Sequence, residues 1–198
     1  MKLVGLTLIS ILPFFWSCDA VSDKLDDVII DGSQTKYYFN SEVGLDNNSG
    51  DTPDAPFKSL FTLRYADLKP GDTVFLAKDV AHRGSIILKN VKGTKEKPVV
   101  ITSYGDGSGY GKIDASGNLA GIYMENCSNI KISGLSITAD GSGGLSDSEA
   151  LAKEQRCGIL YVPTTPGAYS GITIENVLIE DVYFYDRGFS RGEIDENA

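Results

Sequence analysis

Positive charge is scarce in this chain. Its 198 residues hold 18 Lys and Arg against 27 Asp and Glu, giving a formal net charge of −9 and a pI of about 4.6. A surface of that sign repels a phosphate backbone, which excludes nucleic acid as a partner. There is one histidine, His82, and no Ser or Cys partner for it stands out. A histidine-based nucleophilic mechanism therefore has no support. Long helical patterns are missing, which excludes a helix bundle. What is plentiful is glycine (22 residues), tyrosine (10 residues), Ile and Val, a composition suited to short strands and many corners.

A phrase written twice sets the architecture. Cys127 to Thr138 reads C-S-N-I-K-I-S-G-L-S-I-T, and Tyr169 to Glu180 reads Y-S-G-I-T-I-E-N-V-L-I-E. Ile130, Ile132, Leu135 and Ile137 fall on Ile172, Ile174, Val177 and Ile179 at one constant offset of 42. Within each copy the apolar residues alternate, slip by one at a Ser-Gly or Glu-Asn corner, and alternate again. That is two short strands meeting at a bend, each with one buried face. Gly121-Ile122-Tyr123-Met124 returns likewise as Gly158-Ile159-Leu160-Tyr161, at an offset of 37. Repeats of this size predict a solenoid of stacked coils. Ile130 and Ile172, Ile132 and Ile174, and Ile137 and Ile179 are expected to stack inside one core. In that register Cys157 lies over Ala120, and Cys127 and Cys157 stand about seven residues apart around the coil, too far for a disulfide. Both read as small buried or corner residues.

The first residues are an address. Leu3 to Trp16 is apolar apart from Thr7 and Ser10, too short for a membrane span and suited to a signal-peptide core. It ends in Ser17-Cys18-Asp19, which resembles a bacterial lipobox, although Phe15 and Trp16 are bulkier than that pattern. The resemblance implies lipid on Cys18, a bacterial cell-envelope location and membrane contact through that lipid, with the leaflet left open. Residues 1–17 are then signal peptide and 18–35 a lipidated acidic tether carrying Asp23, Asp26, Asp27 and Asp31. Residues 36–72 hold a short aromatic strand, a turn-rich stretch and an amphipathic helix over 57–68 that is expected to cap the first coil. Residues 73–198 hold the coils, interrupted by an insertion between Ala139 and Arg156. No terminal cover is recognisable up to Ala198, so further coils are expected beyond it.

Tyr37-Tyr38, the Asp46 to Thr52 turn, Pro56-Phe57-Lys58-Ser59-Leu60, Lys69-Pro70-Gly71-Asp72-Thr73-Val74, Pro98 to Gly105 and the Ser-Asn-Ile block occur in that order. Together they resemble the N-terminal part of bacterial right-handed parallel β-helix proteins of the polysaccharide-lyase and glycosidase type. The resemblance implies an all-β solenoid with a short N-terminal capping helix, working on a polysaccharide laid along its groove. A lyase is favoured slightly over a glycoside hydrolase. A non-catalytic glycan-binding or structural surface protein is the alternative.

Candidate chemistry concentrates after the second copy. Asp181, Asp186 and Arg187 suit either the base of a lyase or the carboxylates of a glycosidase, and Tyr183, Tyr185 and Arg156 suit contacts to sugar. An ordinary solvated turn is the competing account of the same segment. Asp46, Asn48 and Asp51 offer oxygens at short spacing that suit Ca2+, but the glycine comes one position early and no bidentate acid follows. Plain Asx-turns explain these residues without a metal.

Overall fold

The computed structural model describes residues 35–140 and 156–183. The leader, nearly all of the tether, the core of the insertion, and Tyr185, Asp186 and Arg187 lie outside them. The described chain is all-β, built from parallel strands in curled sheets with almost no helix. β1 (Lys36–Phe39) is followed by β2 (Thr73–Ala77), β3 (Ala81–Arg83) and β4 (Ile86–Lys89). The order then returns as β5 (Val99–Tyr104), β6 (Gly111–Asp114) and β7 (Ala120–Glu125). β8 (Ile130–Asp140) runs through two positions at once, β9 (Cys157–Val162) follows, and β10 (Ile172–Tyr183) lies beside β8.

Each strand pairs with its counterpart in the next return. β2 pairs with β5 and β5 with the front of β8, while β3 pairs with β6 and β6 with the rear of β8. β4 pairs with β7 and β7 with β9. All of these pairs are parallel, so no hairpin can join them and the chain must travel through other strands before returning. The larger sheet has the order β1-β2-β5-β8-β6-β3 with β10 on β8, and the smaller is β4-β7-β9.

Both echoes in the sequence are pairing registers. Ile172 lies beside Ile130, Ile174 beside Ile132, Val177 beside Leu135 and Ile179 beside Ile137. The slip between the two halves of each copy falls on Gly134 (φ 63°) and Asn176 (φ 52°), residue types that accept the left-handed backbone such a corner needs. Ile122 pairs with Ile159 and Ala120 with Cys157, as the second echo predicts. Its repeated glycine has a packing cause. A Cβ on Gly121 would stand 2.2 Å from Ile137 Cγ2, and one on Gly158 would stand 2.5 Å from Ile179 Cγ2. Each glycine lets the smaller sheet close onto an isoleucine of the larger one.

The core runs between the two sheets and contains Phe39, Val74, Ile86, Ile101, Ile122 and Ile132. One expectation about it fails. Ile130, Ile132 and Ile137 are fully buried, but Ile174 and Ile179 are 51% and 46% exposed. The register is right, yet β10 is the outermost described strand, and among the described residues no further layer covers it.

The predicted capping helix does not form. Phe57 is drawn into a parallel bridge with Phe39, and only Leu60–Tyr65 turns, as a six-residue 3-10 segment. Its bonds run from Thr62 N to Ser59 O and from Ala66 N to Leu63 O. Ser59 and Ala66 hold extended backbone at its two ends, which leaves six residues, fewer than two α-helical turns. Cys127 is buried with its Sγ 3.5 Å from the Leu88 carbonyl, Cys157 is half-buried, and both are free thiols.

Candidate functional site

The outer face of the larger sheet gathers polar residues because alternation sends their neighbours inward. Ile137 and Ala139 point into the core, so Thr138 and Asp140 belong to the opposite face. Pairing aligns Arg83, Asp114, Thr138 and Glu180 in one row across β3, β6, β8 and β10. At the usual spacing of strands, the backbones of Asp114 and Glu180 are about 10 Å apart, with the buried Thr138 between them. The Asp114 carboxylate accepts hydrogen bonds from the Ser116 backbone (3.1 Å) and hydroxyl.

Two of the predicted residues stand at this end. Asp181 is the extra residue of a bulge between Glu180 and Val182, with a left-handed φ of 51°, and it is exposed. A bulge of this kind re-aims side chains at a sheet margin. Tyr183 closes β10 opposite Asp140. Arg156 is half-buried and leads into β9, in the smaller sheet.

The calcium candidates are engaged in folding the loop. Asp46 Oδ1 accepts from Ser59 N (2.7 Å), Lys58 N (3.1 Å) and Thr62 Oγ1 (3.2 Å), tying the loop to the start of the 3-10 segment. Asn48 Nδ2 donates to the Pro56 carbonyl at 2.8 Å, and Asp51 accepts from the Ser49 hydroxyl. Among the described residues no group of three His, Cys, Asp or Glu is placed to hold a metal ion.

A second polar cluster lies on the smaller sheet, and the sequence reading missed it. Glu125 pairs with Lys89 across β7 and β4. Its Oε2 accepts from Tyr123 Oη at 3.1 Å and faces Lys89 Nζ at 3.2 Å, while Oε1 accepts from Thr164 Oγ1 at 3.3 Å. The bond from Lys89 pulls the Glu125 carboxyl below its usual range, and partial desolvation opposes it. Desolvation, with the neighbouring carboxylate, pushes the Tyr123 phenol up. Asn90 and Asn126 follow Lys89 and Glu125 in left-handed corners (φ 58° and 53°). Their amides approach at 3.4 Å, and Asn126 also receives Thr164 N at 2.8 Å. The signal was present: Leu88-Lys89-Asn90 returns as Met124-Glu125-Asn126. A cavity of about 380 Å³ opens beside Lys89, walled by Leu63, Arg64, Ala66, Leu68 and Ile87. This cluster is a charge-paired acceptor. Its hydrogen bonds among the described residues bring in no second carboxylate, so it lacks the acid pair that glycoside hydrolysis uses.

No family model matches the sequence. The chain is 23% identical to a lacto-N-biosidase of Bifidobacterium longum subsp. longum over 236 aligned positions, which take in 96% of the chain and 15% of that protein. Among solved structures it is similar to the GH136 lacto-N-biosidase of Eubacterium ramulus, in native and selenomethionine forms alike. There the TM-score is 0.66 and the identity 27%, over 75% of this chain and 27% of that one. The chain thus spans well under a third of the length of either relative. Both relatives are glycosidases by name, and the lyase preference finds no support in either.

Proposed function

We propose that the chain is part of an exported glycoside hydrolase whose parallel strands are the coils of a right-handed β-helix, with a glycan laid along the outer face of the larger sheet. The observation that carries this reading is the likeness, in sequence and in fold, to the solved lacto-N-biosidase. The row on the larger sheet supplies the geometry. Asp114 and Glu180 flank Thr138 in one row, which offers the two carboxylates that glycoside hydrolysis uses. Asp181 on the bulge, with Asp186 and Arg187 further along, belongs to the same proposed site, and Tyr183 and Tyr185 are its proposed sugar contacts. A lacto-N-bioside is the proposed substrate. Calcium takes no part in the proposed step. A lipid on Cys18 is proposed to hold the protein at the bacterial envelope, and mass spectrometry of the mature N-terminus reads it directly.

The test is incubation with a chromogenic lacto-N-bioside and with neutral and uronic polysaccharides. New reducing ends without an ultraviolet-absorbing unsaturated product support hydrolysis. Glu180→Gln and Asp114→Asn should then each lower kcat by about a hundredfold or more. Unsaturated product would overturn the reading in favour of a lyase. Binding without turnover favours the second reading, a non-catalytic glycan-binding segment.

A further inference from the structure

The outer face of the larger sheet carries a second row, away from the acids. Tyr38 lies beside Phe75 and Phe75 beside Thr102. Ile101 pairs with Ile132, so Thr102 adjoins Ser133, and Ser133 pairs with Glu175. The row crosses β1, β2, β5, β8 and β10 in order, and its side chains change height along the way. At one end Tyr38 and Phe75 are stacked, with ring centroids 4.8 Å apart and planes inclined by 11°. Tyr104 closes edge-on over both, at 5.0 Å from Tyr38 and 6.3 Å from Phe75, and bonds to the Asn40 side chain. In the middle stand only short hydroxyl side chains, with Ser133 Oγ 3.4 Å from Thr102 Oγ1. At the far end Lys131 Nζ meets Glu175 Oε1 at 2.6 Å. The result is a furrow with an aromatic wall, a hydroxyl floor and an ion-pair wall. Phe75 and Glu175 rise from strands about 14 Å apart, three strand spacings, and Lys131 reaches Glu175 from β8.

The core does not require these aromatic rings. Tyr37, Phe39, Val74 and Leu76 point inward from the same strands and are buried, whereas Tyr38, Phe75 and Tyr104 are half-buried on the outside. Cross-strand aromatic pairs do stabilise a sheet, but that role does not explain a bare hydroxyl floor beside them. We infer that this furrow is a binding subsite for a neutral saccharide ring, distinct from the acid row and resting on the glycan reading above. The aromatic face takes the apolar C–H face of a sugar. The hydroxyls of Thr102 and Ser133 each donate and accept towards sugar hydroxyls, and the Glu175 carboxylate accepts another. Pairing of Lys131 with Glu175 leaves the furrow without net charge, in a chain of net charge −9. That electrostatic setting disfavours uronic acids and favours neutral sugars. The stacked rings are held by one another and by the edge of Tyr104, itself bonded to Asn40, so little side-chain freedom is lost on binding.

Isothermal titration of the 198-residue protein tests this, with cello-, xylo- and galacto-oligosaccharides as probes and an oligogalacturonate as the anionic control. The expected result is binding of at least one neutral probe in preference to the uronate. Phe75→Leu keeps an apolar side chain and removes the ring face, and Thr102→Val with Ser133→Ala removes the floor. Each should weaken binding roughly tenfold with an unchanged circular dichroism spectrum. Neutral-sugar binding or glycoside hydrolysis by the wild type, with affinity unchanged in both variants, would overturn the furrow and leave the glycan reading standing. A wild type that binds and cleaves no sugar would overturn both. Tighter binding of the uronate would overturn the assignment to neutral sugars.

Discussion

His82 is fully buried in β3, and neither of its ring nitrogens has a hydrogen-bond partner of good geometry. Burial lowers its pKa to about 4, with the Ala77 backbone opposing part of the effect. An unfolded chain takes up this proton near pH 6.5, so between pH 6.5 and 4 the unfolded state binds more protons than the folded one. Stability from this group is complete above pH 6.5 and falls as the pH drops towards 4, by about 3 kcal/mol over the window. Urea denaturation of wild type and His82→Leu at pH 7 and pH 4.5 should show the difference between the two proteins moving by about 2–3 kcal/mol in favour of the variant at acid pH. A difference independent of pH would contradict the assignment. The sequence alone did not reveal this role, because Ala81–Arg83 is too short for alternation to register as a strand. Glu125 was hidden for a different reason, since its role lies in the side chains of Lys89, Tyr123 and Thr164 that the fold brings around it.

The pairing register was the most legible feature, because in parallel strands a repeat in sequence becomes adjacency in space. The offset of Ile172 from Ile130 became a ladder of pairs, and the corner at Gly134 and Asn176 fell where the alternation slips. The capping helix was misread because apolar spacing at Phe57, Leu60 and Phe61 fits a helix, while the competing bridge between Phe57 and Phe39 leaves no trace in that pattern. Two substitutions probe the register. Ile132→Asp places a carboxylate in the core and should destabilise by at least about 3 kcal/mol. Gly121→Ala forces a methyl against Ile137 and should cost about 1–3 kcal/mol, whereas Gly105→Ala, at a corner with φ 97° and nothing within 4 Å of the added Cβ, tests backbone strain alone. Thermal melts that leave Ile132→Asp near wild type would show that β8 does not line the core.

The described strands present two outer surfaces and, at β10, an apolar margin. Ile174, Leu178 and Ile179 on β10 are each about half exposed, and among the described residues β10 pairs only with β8. An unpaired apolar edge invites association, so the 198-residue protein should self-associate in analytical ultracentrifugation. Ile174→Lys with Leu178→Lys should shift it towards monomer, and a wild type monomeric at all concentrations would show that this edge is covered. The site was less legible than the fold. Asp181 and Tyr183 were singled out because they follow a repeat copy, whereas Asp114 and Glu180 share a row only once β6, β8 and β10 are laid side by side. The most direct measurement of the central claim is a crystal structure of the protein with a bound neutral oligosaccharide. The account predicts sugar on the outer face of the larger sheet, over Phe75, Thr102 and Ser133 or against Asp114 and Glu180. Sugar seated instead on the smaller sheet beside Lys89 and Glu125, or no sugar at saturating concentration, would contradict it.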